Sequence, residues 1–210
     1  MKRKNIILIG AGGHATSCID VIEATNKYKI IGLVDKKKKN YLKIGNKKYK
    51  IFNEKEILAN KKRFYAFICI GSHLLVKKRN ILFKKYKKIG FKFPTIISPF
   101  SYVSKFSKIK EGTIIMHREI INSNVKIGTN CIINTKSLIE HDCIIGDNSH
   151  IATSANINGH VKIGKNCFIG SNATLIPSVK IKDSSFIKAG KLVKKNYAWF
   201  NYNSWSGSKP

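Results

Sequence analysis

The sequence predicts a small α/β domain followed by a prism of short β-strands joined by tight corners. Two observations lead to this prediction. In roughly the first 95 residues, buried strand patterns alternate with amphipathic helix patterns, which is typical of a parallel sheet covered by helices. From Val103 to Val193 an aliphatic residue instead recurs at every sixth position, sixteen times without an insertion. The chain has 210 residues, of which 43% are hydrophobic, so it can form both cores.

The N-terminal part predicts alternating strands and helices. The first strand is an apolar run that stops at the glycine-rich turn 10–14, and the second strand ends at Asp35. The predicted elements are a strand at 5–9, a helix at 15–25, a strand at 28–34, a hairpin around 44–52, a strand at 63–70 and a helix at 74–89. Because the carboxyl ends of parallel strands meet at one edge of a sheet, we expect ligand groups in the turns that follow them.

The repeat predicts tight corners between short strands. Four residues after each aliphatic position the side chain is mostly small, with Glu119 as the clear exception. A period of six fits neither an α-helix nor one flat strand, but it fits corners that each bury one aliphatic and one small residue. At several corners glycine directly follows the aliphatic residue, and we expect it to supply backbone freedom there. These glycines are Gly128, Gly146, Gly164 and Gly170.

The five cysteines indicate a reducing compartment, since their number is odd and no two are spaced as CxxC. Three of them, Cys131, Cys143 and Cys167, occupy the small inward position of the repeat, so we expect core residues rather than nucleophiles. No apolar stretch approaches the roughly 18 residues of a membrane span, and the N-terminus does not resemble a signal peptide. The sequence therefore predicts a cytoplasmic protein without a membrane span.

The strong positive charge has three explanations, which the sequence leaves open. There are 40 Lys and Arg residues against 11 Asp and Glu, which gives a net charge of +29. Such an excess is the electrostatic footprint of nucleic-acid binding, but only four of these residues are arginine, which phosphate and base recognition favours. Compositional drift toward Lys, Ile and Asn is the second explanation, and steering of a polyanionic small substrate is the third. We do not expect a nucleic-acid partner.

The glycine turn formally matches a dinucleotide-binding fingerprint, Gly10-x-Gly12-x-x-Ala15, with Asp35 near the position of the ribose-binding acid. A domain this short supplies only one mononucleotide half, and His14 stands where a pyrophosphate would approach. The diphosphate of a nucleotide-linked sugar fits such a half site better than a whole dinucleotide does. An ordinary turn between strand and helix, without a ligand, is the alternative.

Residues 133–143 carry the most specific motif of the chain. Asn134 precedes a Glu-His-Asp run in which His141 is followed directly by Asp142. Together with the repeat, this segment resembles the hexapeptide-repeat sugar acetyltransferases of the sialic acid O-acetyltransferase and bacillosamine-type N-acetyltransferase group. The resemblance implies a left-handed parallel β-helix with three hexads per coil. It further implies that His141 is the general base, Asp142 its acidic partner and Asn134 an active-site amide.

The same resemblance implies two ligands and the residues that contact them. Acetyl-CoA is the expected co-substrate, with no metal, and a nucleotide-linked amino sugar is the expected acceptor. The expected sugar-nucleotide contacts are Gly12, Gly13, His14, Asp35, Gly71 and Ser72. The expected acetyl-CoA contacts are His150, Gly159, Ser171 and Ala189. The family also implies a homotrimer with active sites between neighbouring prisms.

Acetyl transfer requires residues of these types. An amine or hydroxyl loses a proton as it attacks a thioester, and an imidazole can accept this proton while a carboxylate orients the ring. A backbone N–H, which we expect at Gly159, can stabilise the developing oxyanion. The histidines of the repeat have two other interpretations, as solvated edge residues or as zinc ligands shared between subunits. These histidines are His117, His141, His150 and His160.

The sequence thus predicts a Rossmann-like sugar-nucleotide-binding domain at 1–97, a left-handed β-helix acetyltransferase domain at 98–195 and an aromatic tail at 196–210. The expected function is acetyl-CoA-dependent N-acetylation of a nucleotide-linked amino sugar for surface-glycan or glycoprotein synthesis. O-acetylation of a sialic acid-type sugar is the first alternative. A trimer that binds a sugar nucleotide without catalysis is the second. The tail departs from the family, whose members usually end in a Val-Pro-Ala-Lys-like segment near the cofactor.

Overall fold

The computed structural model describes residues 3–36, 40–58, 64–71 and 76–197, which form an α/β unit followed by a β-helix. The elements of the α/β unit are β1 (Lys4–Ile9), α1 (Gly13–Ala24), β2 (Tyr28–Val34), β3 (Tyr41–Ile44), β4 (Lys47–Phe52), α2 (Glu54–Leu58), β5 (Tyr65–Ile68) and α3 (Val76–Ile89). The sheet order is β3-β4-β2-β1-β5, and β3 is antiparallel to β4 while the other pairs are parallel. Within these described ranges, no helix is long and apolar enough to cross a membrane.

The apolar run of β1 explains its central place in the sheet. Ile6 and Leu8 pack with α1 and the first coils of the β-helix, whereas Ile7 and Ile9 pack with α2 and α3. A strand that is buried on both faces reads as a continuous apolar run rather than an alternating one. Because β2, β1 and β5 are parallel neighbours, the loops after them share one border of the sheet, which we call the carboxyl rim.

The predicted N-terminal elements are confirmed, with small shifts of their ends. α1 begins two residues earlier than predicted, and β3 and β4 form the predicted hairpin. β5 and α3 fall within their predicted ranges, of which residues 63, 74 and 75 lie outside the described residues. The sequence does not predict α2, because its five residues are too few to show a helical period.

The hexad repeat forms two-residue strands that stack in three parallel sheets, which we call face 1, face 2 and face 3. Face 1 contains β6 (Ile96–Ile97), β9 (Ile114–Ile115), β12 (Ile132–Ile133), β15 (His150–Ile151), β18 (Phe168–Ile169) and β21 (Phe186–Ile187). Face 2 contains β7 (Tyr102–Val103), β10 (Ile120–Ile121), β13 (Leu138–Ile139), β16 (Asn156–Ile157), β19 (Thr174–Leu175) and β22 (Leu192–Val193). Face 3 contains β8 (Lys108–Ile109), β11 (Lys126–Ile127), β14 (Ile144–Ile145), β17 (Lys162–Ile163) and β20 (Lys180–Ile181).

Three hexads complete one coil, because residues paired in neighbouring strands of a face, such as Ile121 and Ile139, are 18 positions apart. The aliphatic residues of the hexads line the inside of the prism and form one core with the small residues. Cys131, Cys143 and Cys167 are fully buried in this core, so the prediction that they are core residues is confirmed. Burial raises the pKa of the Cys143 thiol to about 11, which keeps it protonated near neutral pH.

The corners of the prism turn through the left-handed backbone region. From Arg118 to Ser184 every sixth residue has a φ between 53° and 67°, although none of them is glycine. Asn or Asp stands at half of these positions, as expected of residues whose short polar side chains tolerate this conformation. We name each edge of the prism by the two faces that it joins, so edge 2/3 follows the strands of face 2.

The four corner glycines have a different role from the predicted one. Their φ values lie outside the left-handed region, which the third residue of the corner occupies instead. A Cβ atom at any of the four would overlap atoms of the next coil. The prediction of backbone freedom is therefore wrong, and glycine is needed because neighbouring coils approach closely. These residues are Gly128, Gly146, Gly164 and Gly170.

The buried side chain of Arg79, in α3, connects the α/β unit with the β-helix. Its guanidinium donates hydrogen bonds to the carbonyl of Ile68, the last residue of β5, and to the carbonyl of Ile70, two residues further on. It also donates to the carbonyls of Gly112 and Asn130, at corners of the prism. Beside this contact, apolar residues of β1 and α1 share one core with face 1. The sheet and the first coils therefore have a common buried interface.

Candidate active site

The predicted catalytic pair lies at edge 2/3. Because the register repeats every 18 residues, each coil adds a three-residue corner to this edge. The middle position of the corner holds Ser123, His141 and Gly159 in successive coils. The third position, which has the positive φ, holds Asn124, Asp142 and His160. The surroundings of His141 and Asp142 are thus set by corner residues of the coils on either side.

His141 and Asp142 form a hydrogen-bonded pair at the surface. His141 Nδ1 lies 2.8 Å from Asp142 Oδ2, and Asn124 Nδ2 donates to Asp142 Oδ1 at 3.2 Å. The hydrogen bonds from His141 and Asn124 hold the pKa of the Asp142 carboxyl below its usual range. Since a carboxylate only accepts, Nδ1 carries the hydrogen of the neutral ring and Nε2 is its basic nitrogen. The side chains are 53% and 39% exposed, so a substrate can reach the ring.

Gly159 provides the space that the His141 ring occupies. A Cβ atom on Gly159 would lie 2.8 Å from both Cε1 and Nε2 of His141, which is closer than Cβ atoms come to other atoms. Its φ is not in the left-handed region, so the requirement is for space and not for a special backbone conformation. Of the residues expected to contact acetyl-CoA, Gly159 therefore lies beside the basic nitrogen.

His160 is a neighbour of this pair that the sequence motif does not single out. Its ring stands edge-on to the His141 ring, with 5.0 Å between the centroids. Its backbone N–H donates to the His141 carbonyl at 3.0 Å. The sequence signal that could have found it is its offset of one coil from Asp142. His141, Asp142 and His160 also present three possible metal-ligand atoms that lie within 4.8 Å of one another.

A groove opens beside Asp142 on the side of the earlier coils. It is lined by Phe106, Lys108, Asn124, Lys126, Asp142 and Ile144. Lysine and apolar side chains thus stand around one carboxylate, so the groove can accept a ligand with both anionic and apolar parts. The sequence motif did not indicate the groove, because its lining comes from different hexads.

The other predicted residues of the repeat lie elsewhere on the prism. Asn134, Ser171 and Ala189 follow strands of face 1 and are therefore at edge 1/2. The Asn134 side chain accepts a hydrogen bond from the next backbone N–H at 2.9 Å. His150 lies within face 1, where it is 7% exposed and edge-on to Phe168. These residues therefore lie at edge 1/2 or within face 1, whereas the catalytic pair lies at edge 2/3.

At the carboxyl rim, Asp35 holds the glycine turn in place. Its Oδ2 accepts a hydrogen bond from the Ala11 N–H at 2.7 Å. Gly10 has a φ of 105°, which lets the chain leave β1 and turn toward α1. The structure therefore brings the turn and Asp35 together, as predicted. One oxygen of the Asp35 carboxylate therefore fixes the backbone of the glycine turn.

The start of α1 is the second feature of the carboxyl rim. α1 begins at Gly13, and its N-cap residue Gly12 offers no side chain to the first N–H groups of the helix. Such a helix start attracts an anion such as a phosphate. A Cβ on Gly71 would lie 3.7 Å from the Cβ of His14, so these two residues are also neighbours. Ser72 lies outside the described residues.

Two family models match different parts of the chain. The model described as PglD N-terminal domain matches residues 5–86, which contain the carboxyl rim. The model described as bacterial transferase hexapeptide (six repeats) matches residues 160–195, in the later coils. A comparison with curated proteins gives no match.

Solved structures align with nearly the whole chain. PerB from Caulobacter crescentus, in complex with CoA and GDP-perosamine, is 27% identical, with a TM-score of 0.83 over 92% of this chain and 90% of that chain. The acetyltransferase domain of PglB from Neisseria gonorrhoeae, in complex with acetyl coenzyme A, is 22% identical, with a TM-score of 0.84 over 93% of each chain. WeeI from Acinetobacter baumannii is 19% identical, with a TM-score of 0.72 over 89% of this chain and 95% of that chain.

The alignments extend over both units in the same order along the chain. They show that the fold is an α/β domain followed by a left-handed parallel β-helix, so the predicted fold class is confirmed. The chain is therefore similar, in both of its units, to hexapeptide-repeat sugar acetyltransferases such as PerB and the PglB domain, and its N-terminal part matches the PglD N-terminal domain model.

Proposed function

We propose that the protein transfers the acetyl group of acetyl-CoA to an amino group on a nucleotide-linked sugar, with His141 as the general base. The observation that carries this proposal is the accessible, hydrogen-bonded pair of His141 and Asp142 at edge 2/3. The likeness to PerB, which was solved with CoA and GDP-perosamine, supports both substrate classes.

The proton passes through Nε2 of His141. As the amine nitrogen attacks the thioester carbonyl, Nε2 accepts its proton and a C–N bond forms. The C–S bond then breaks, and the imidazolium returns the proton to the departing thiolate of CoA. A positioned imidazole of this kind typically contributes about 10²- to 10⁴-fold to the rate.

Asp142 and Asn124 prepare the ring for this step. The Asp142 carboxylate accepts from Nδ1–H, which fixes the tautomer in which Nε2 is free to act as the base, and it stabilises the imidazolium that forms. Asn124 binds the second oxygen of the same carboxylate and so limits its rotation. The backbone N–H of Gly159, one coil further on, is the proposed donor to the oxyanion.

The carboxyl rim is the proposed site for the sugar nucleotide. The open start of α1 suits the diphosphate, since no side chain competes for its N–H groups. Gly12, Gly13 and His14 border this position, and Gly71 lies against His14. The net charge of +29 favours the approach of a doubly phosphorylated substrate, although salt screens this attraction.

A homotrimer accounts for the separation of the proposed contact residues. Asn134, Ser171 and Ala189 follow face 1 and His141 follows face 2, so one prism presents them on different edges. In a closed ring, edge 1/2 of one subunit can lie against edge 2/3 of the next. Exposed apolar side chains near the first coils support such an interface. They are Phe100, Tyr102, Phe106, Ile120 and Ile144, which are 39–68% exposed.

The proposed location is the cytoplasm, because acetyl-CoA and sugar nucleotides are used there and the cysteines are free thiols. All five cysteines of the sequence are free and buried. The domain boundaries at residues 97 and 195 are part of the same proposal, with the tail at 196–210 as a separate segment. Tyr197, at the start of that segment, pairs with Ile181, and residues 198–210 lie outside the described residues.

The proposal is tested by offering acetyl-CoA with a panel of UDP-, GDP- and dTDP-linked amino sugars and following thiol release. Matching sugar nucleotides with a hydroxyl in place of the amine form the second panel. We expect turnover with an amino sugar only, and mass spectrometry should show one added acetyl group. Turnover only with the hydroxyl panel would establish O-acetylation. Binding of a sugar nucleotide without thiol release would favour a non-catalytic protein.

The role of His141 is tested with His141→Asn on the best substrate of that panel. We expect kcat/KM to fall by roughly 10²- to 10⁴-fold. His117→Asn is the matched control, because His117 is another repeat histidine and bonds to Asp20 and Ser98 at the domain junction. Near-native turnover of His141→Asn would contradict the assignment of the base.

A further inference from the structure

We propose that His141, Asp142 and His160 bind a divalent cation of borderline softness such as Zn²⁺, and that the bound ion blocks acetyl transfer. The claim that the ion binds is argued from the geometry of edge 2/3. The claim that the ion blocks acetyl transfer rests on the proposed function, in which His141 is the base. The metal is thus an inhibitor and not a cofactor of the reaction.

The stacking of coils brings the three ligands together. Asp142 and His160 occupy the same corner position one coil apart, and neighbouring strands in a sheet are about 4.8 Å apart. His141 stands next to Asp142 in the chain and edge-on to His160. As a result, one ligand atom from each residue lies within 4.8 Å of the others. Side-chain rotations alone can close this spacing, because His141 and Asp142 are about half exposed.

The donor set suits zinc more than magnesium or calcium. Imidazole nitrogen and carboxylate oxygen bind Zn²⁺ at about 2.0–2.2 Å, and three protein ligands plus one water form a common open zinc site. Magnesium and calcium prefer sites made of oxygen alone. Copper and nickel also favour imidazole, so they should compete with zinc.

The net charge of +29 opposes cation binding but does not decide it. Exposed charges more than about 8 Å away are largely screened at physiological ionic strength. Near the site, the carboxylates of Asp142 and Glu140 offset part of the positive charge. The nearest lysines of the groove, Lys108 and Lys126, belong to face 3. A ligand contact at about 2 Å outweighs this weak and screened repulsion.

A bound metal ion would remove two features that catalysis requires, the free basic nitrogen of His141 and the orientation of its ring. A ring nitrogen that coordinates zinc has no lone pair left for a proton. Asp142 cannot hold the ring in its catalytic orientation when its oxygen is a metal ligand. Inhibition should therefore follow site occupancy and be reversed by a chelator.

Binding is measured first, without any substrate, by calorimetric titration of the full chain with ZnCl₂. We expect one ion per chain, and Co²⁺ in place of Zn²⁺ should give the visible absorption of a low-coordinate site. His160→Asn removes one ligand and keeps a residue that tolerates the φ of 60°. We expect it to weaken Zn²⁺ binding at least about tenfold. His117→Asn, which alters a histidine outside the group, should bind zinc like the unchanged protein.

Inhibition is then measured as thiol release with increasing ZnCl₂, and each variant is compared with its own rate without metal. We expect half-inhibition at the concentration that half-fills the site, and a parallel shift in His160→Asn. Equal zinc affinity of His160→Asn and the unchanged protein would overturn the metal site. Binding at the site without inhibition would retain the metal site and contradict His141 as the base. If His160→Asn does not fold, His141→Asn removes a second ligand and serves in its place for the binding measurement.

Discussion

Gly159 determines the position of the His141 ring by lacking a side chain. In Gly159→Ala the new Cβ would meet the ring at 2.8 Å, so the ring must move. Because a displacement of about 1 Å at a catalytic group can lower the rate about 10²-fold, we expect kcat to fall by roughly this factor. The measurement is the steady-state rate of thiol release with the best acceptor.

Gly128→Ala is the control for this prediction. It also forces a Cβ against a neighbouring coil, at Asp147, but at edge 3/1 and away from His141. It should lower stability without a comparable loss of kcat. Equal losses of activity in the two variants would show that general strain, and not the position of the ring, is responsible.

Glu119 makes stability depend on pH. It occupies an inward position where the three following coils have Ser137, Ala155 and Ala173, is 1% exposed, and accepts a hydrogen bond from Ser137. Burial raises the pKa of its carboxyl from 4.5 to about 8. The folded chain therefore keeps a proton that the unfolded chain loses, and the free energy of unfolding falls between about pH 4.5 and 8.

Glu119→Gln removes this titration. Denaturant unfolding of the unchanged protein should lose up to about 1.4 kcal/mol per pH unit within the window, and the variant should lack that slope. The same substitution at Glu54 in α2 should leave this slope unchanged, because hydrogen bonds from Lys85 and Tyr86 lower the pKa of the Glu54 carboxyl and its titration falls below the window. Identical slopes in the unchanged protein and Glu119→Gln would contradict a buried, protonated carboxyl.

At the scale of the element, the corners should tolerate glycine where they use a positive φ. Lys136 is exposed and has a φ of 62°. Glycine avoids the roughly 1–2 kcal/mol cost of this conformation and loses about 0.5–1 kcal/mol through its greater chain entropy. We expect Lys136→Gly to raise the free energy of unfolding by about 0.5–1 kcal/mol. Thermal or denaturant unfolding measures the change.

Lys162 is the matched control, since it is an exposed lysine within strand β17. There glycine has no positive φ to relieve, so Lys162→Gly should lower stability by about 0.5–1 kcal/mol. Opposite signs are thus expected for two Lys-to-Gly substitutions on the same prism. A loss of stability in both variants would indicate that the corners are not strained.

The coils could be predicted from the sequence because their pattern is local and repeated. Each hexad shows its own aliphatic and small residue, so the strands need no distant partner to be recognised. The prediction for glycine at the corners was wrong because the close approach involves the next coil, for example Asp183 beside Gly164. The six-residue period does not report which atoms meet across coils.

The candidate site was predicted only in part for a similar reason. His141 and Asp142 are adjacent in sequence, and the motif indicates them directly. His160 and the lining of the groove come from other coils, so they become visible only when the 18-residue offset is known. Asn134 and His141 follow different faces because their spacing of seven residues exceeds one hexad, so strand β13 of face 2 lies between them.

At the scale of the whole molecule, Arg79 connects the two units and should dominate their joint stability. In Arg79→Met the carbonyls that the guanidinium now binds would be buried without donors. Each buried carbonyl left without a donor costs about 1–3 kcal/mol, so we expect the free energy of unfolding to fall by about 3–5 kcal/mol.

Arg118→Met is the control for Arg79→Met. Arg118 is exposed at a corner of the prism, so its replacement should change stability by no more than about 0.5 kcal/mol. Denaturant titrations followed by circular dichroism compare the two variants. A small effect of Arg79→Met would mean that the apolar contacts of α1 with face 1 hold the units together without it.

The threefold coil also limits how such a molecule can change in length. Adding 18 residues, one complete circuit, leaves every later side chain on its original edge and lengthens the stack by about 4.8 Å. Adding a single hexad instead turns everything that follows by a third of a circuit. Evolution can therefore elongate this scaffold only in whole circuits if the groups on its edges are to keep meeting the same neighbours.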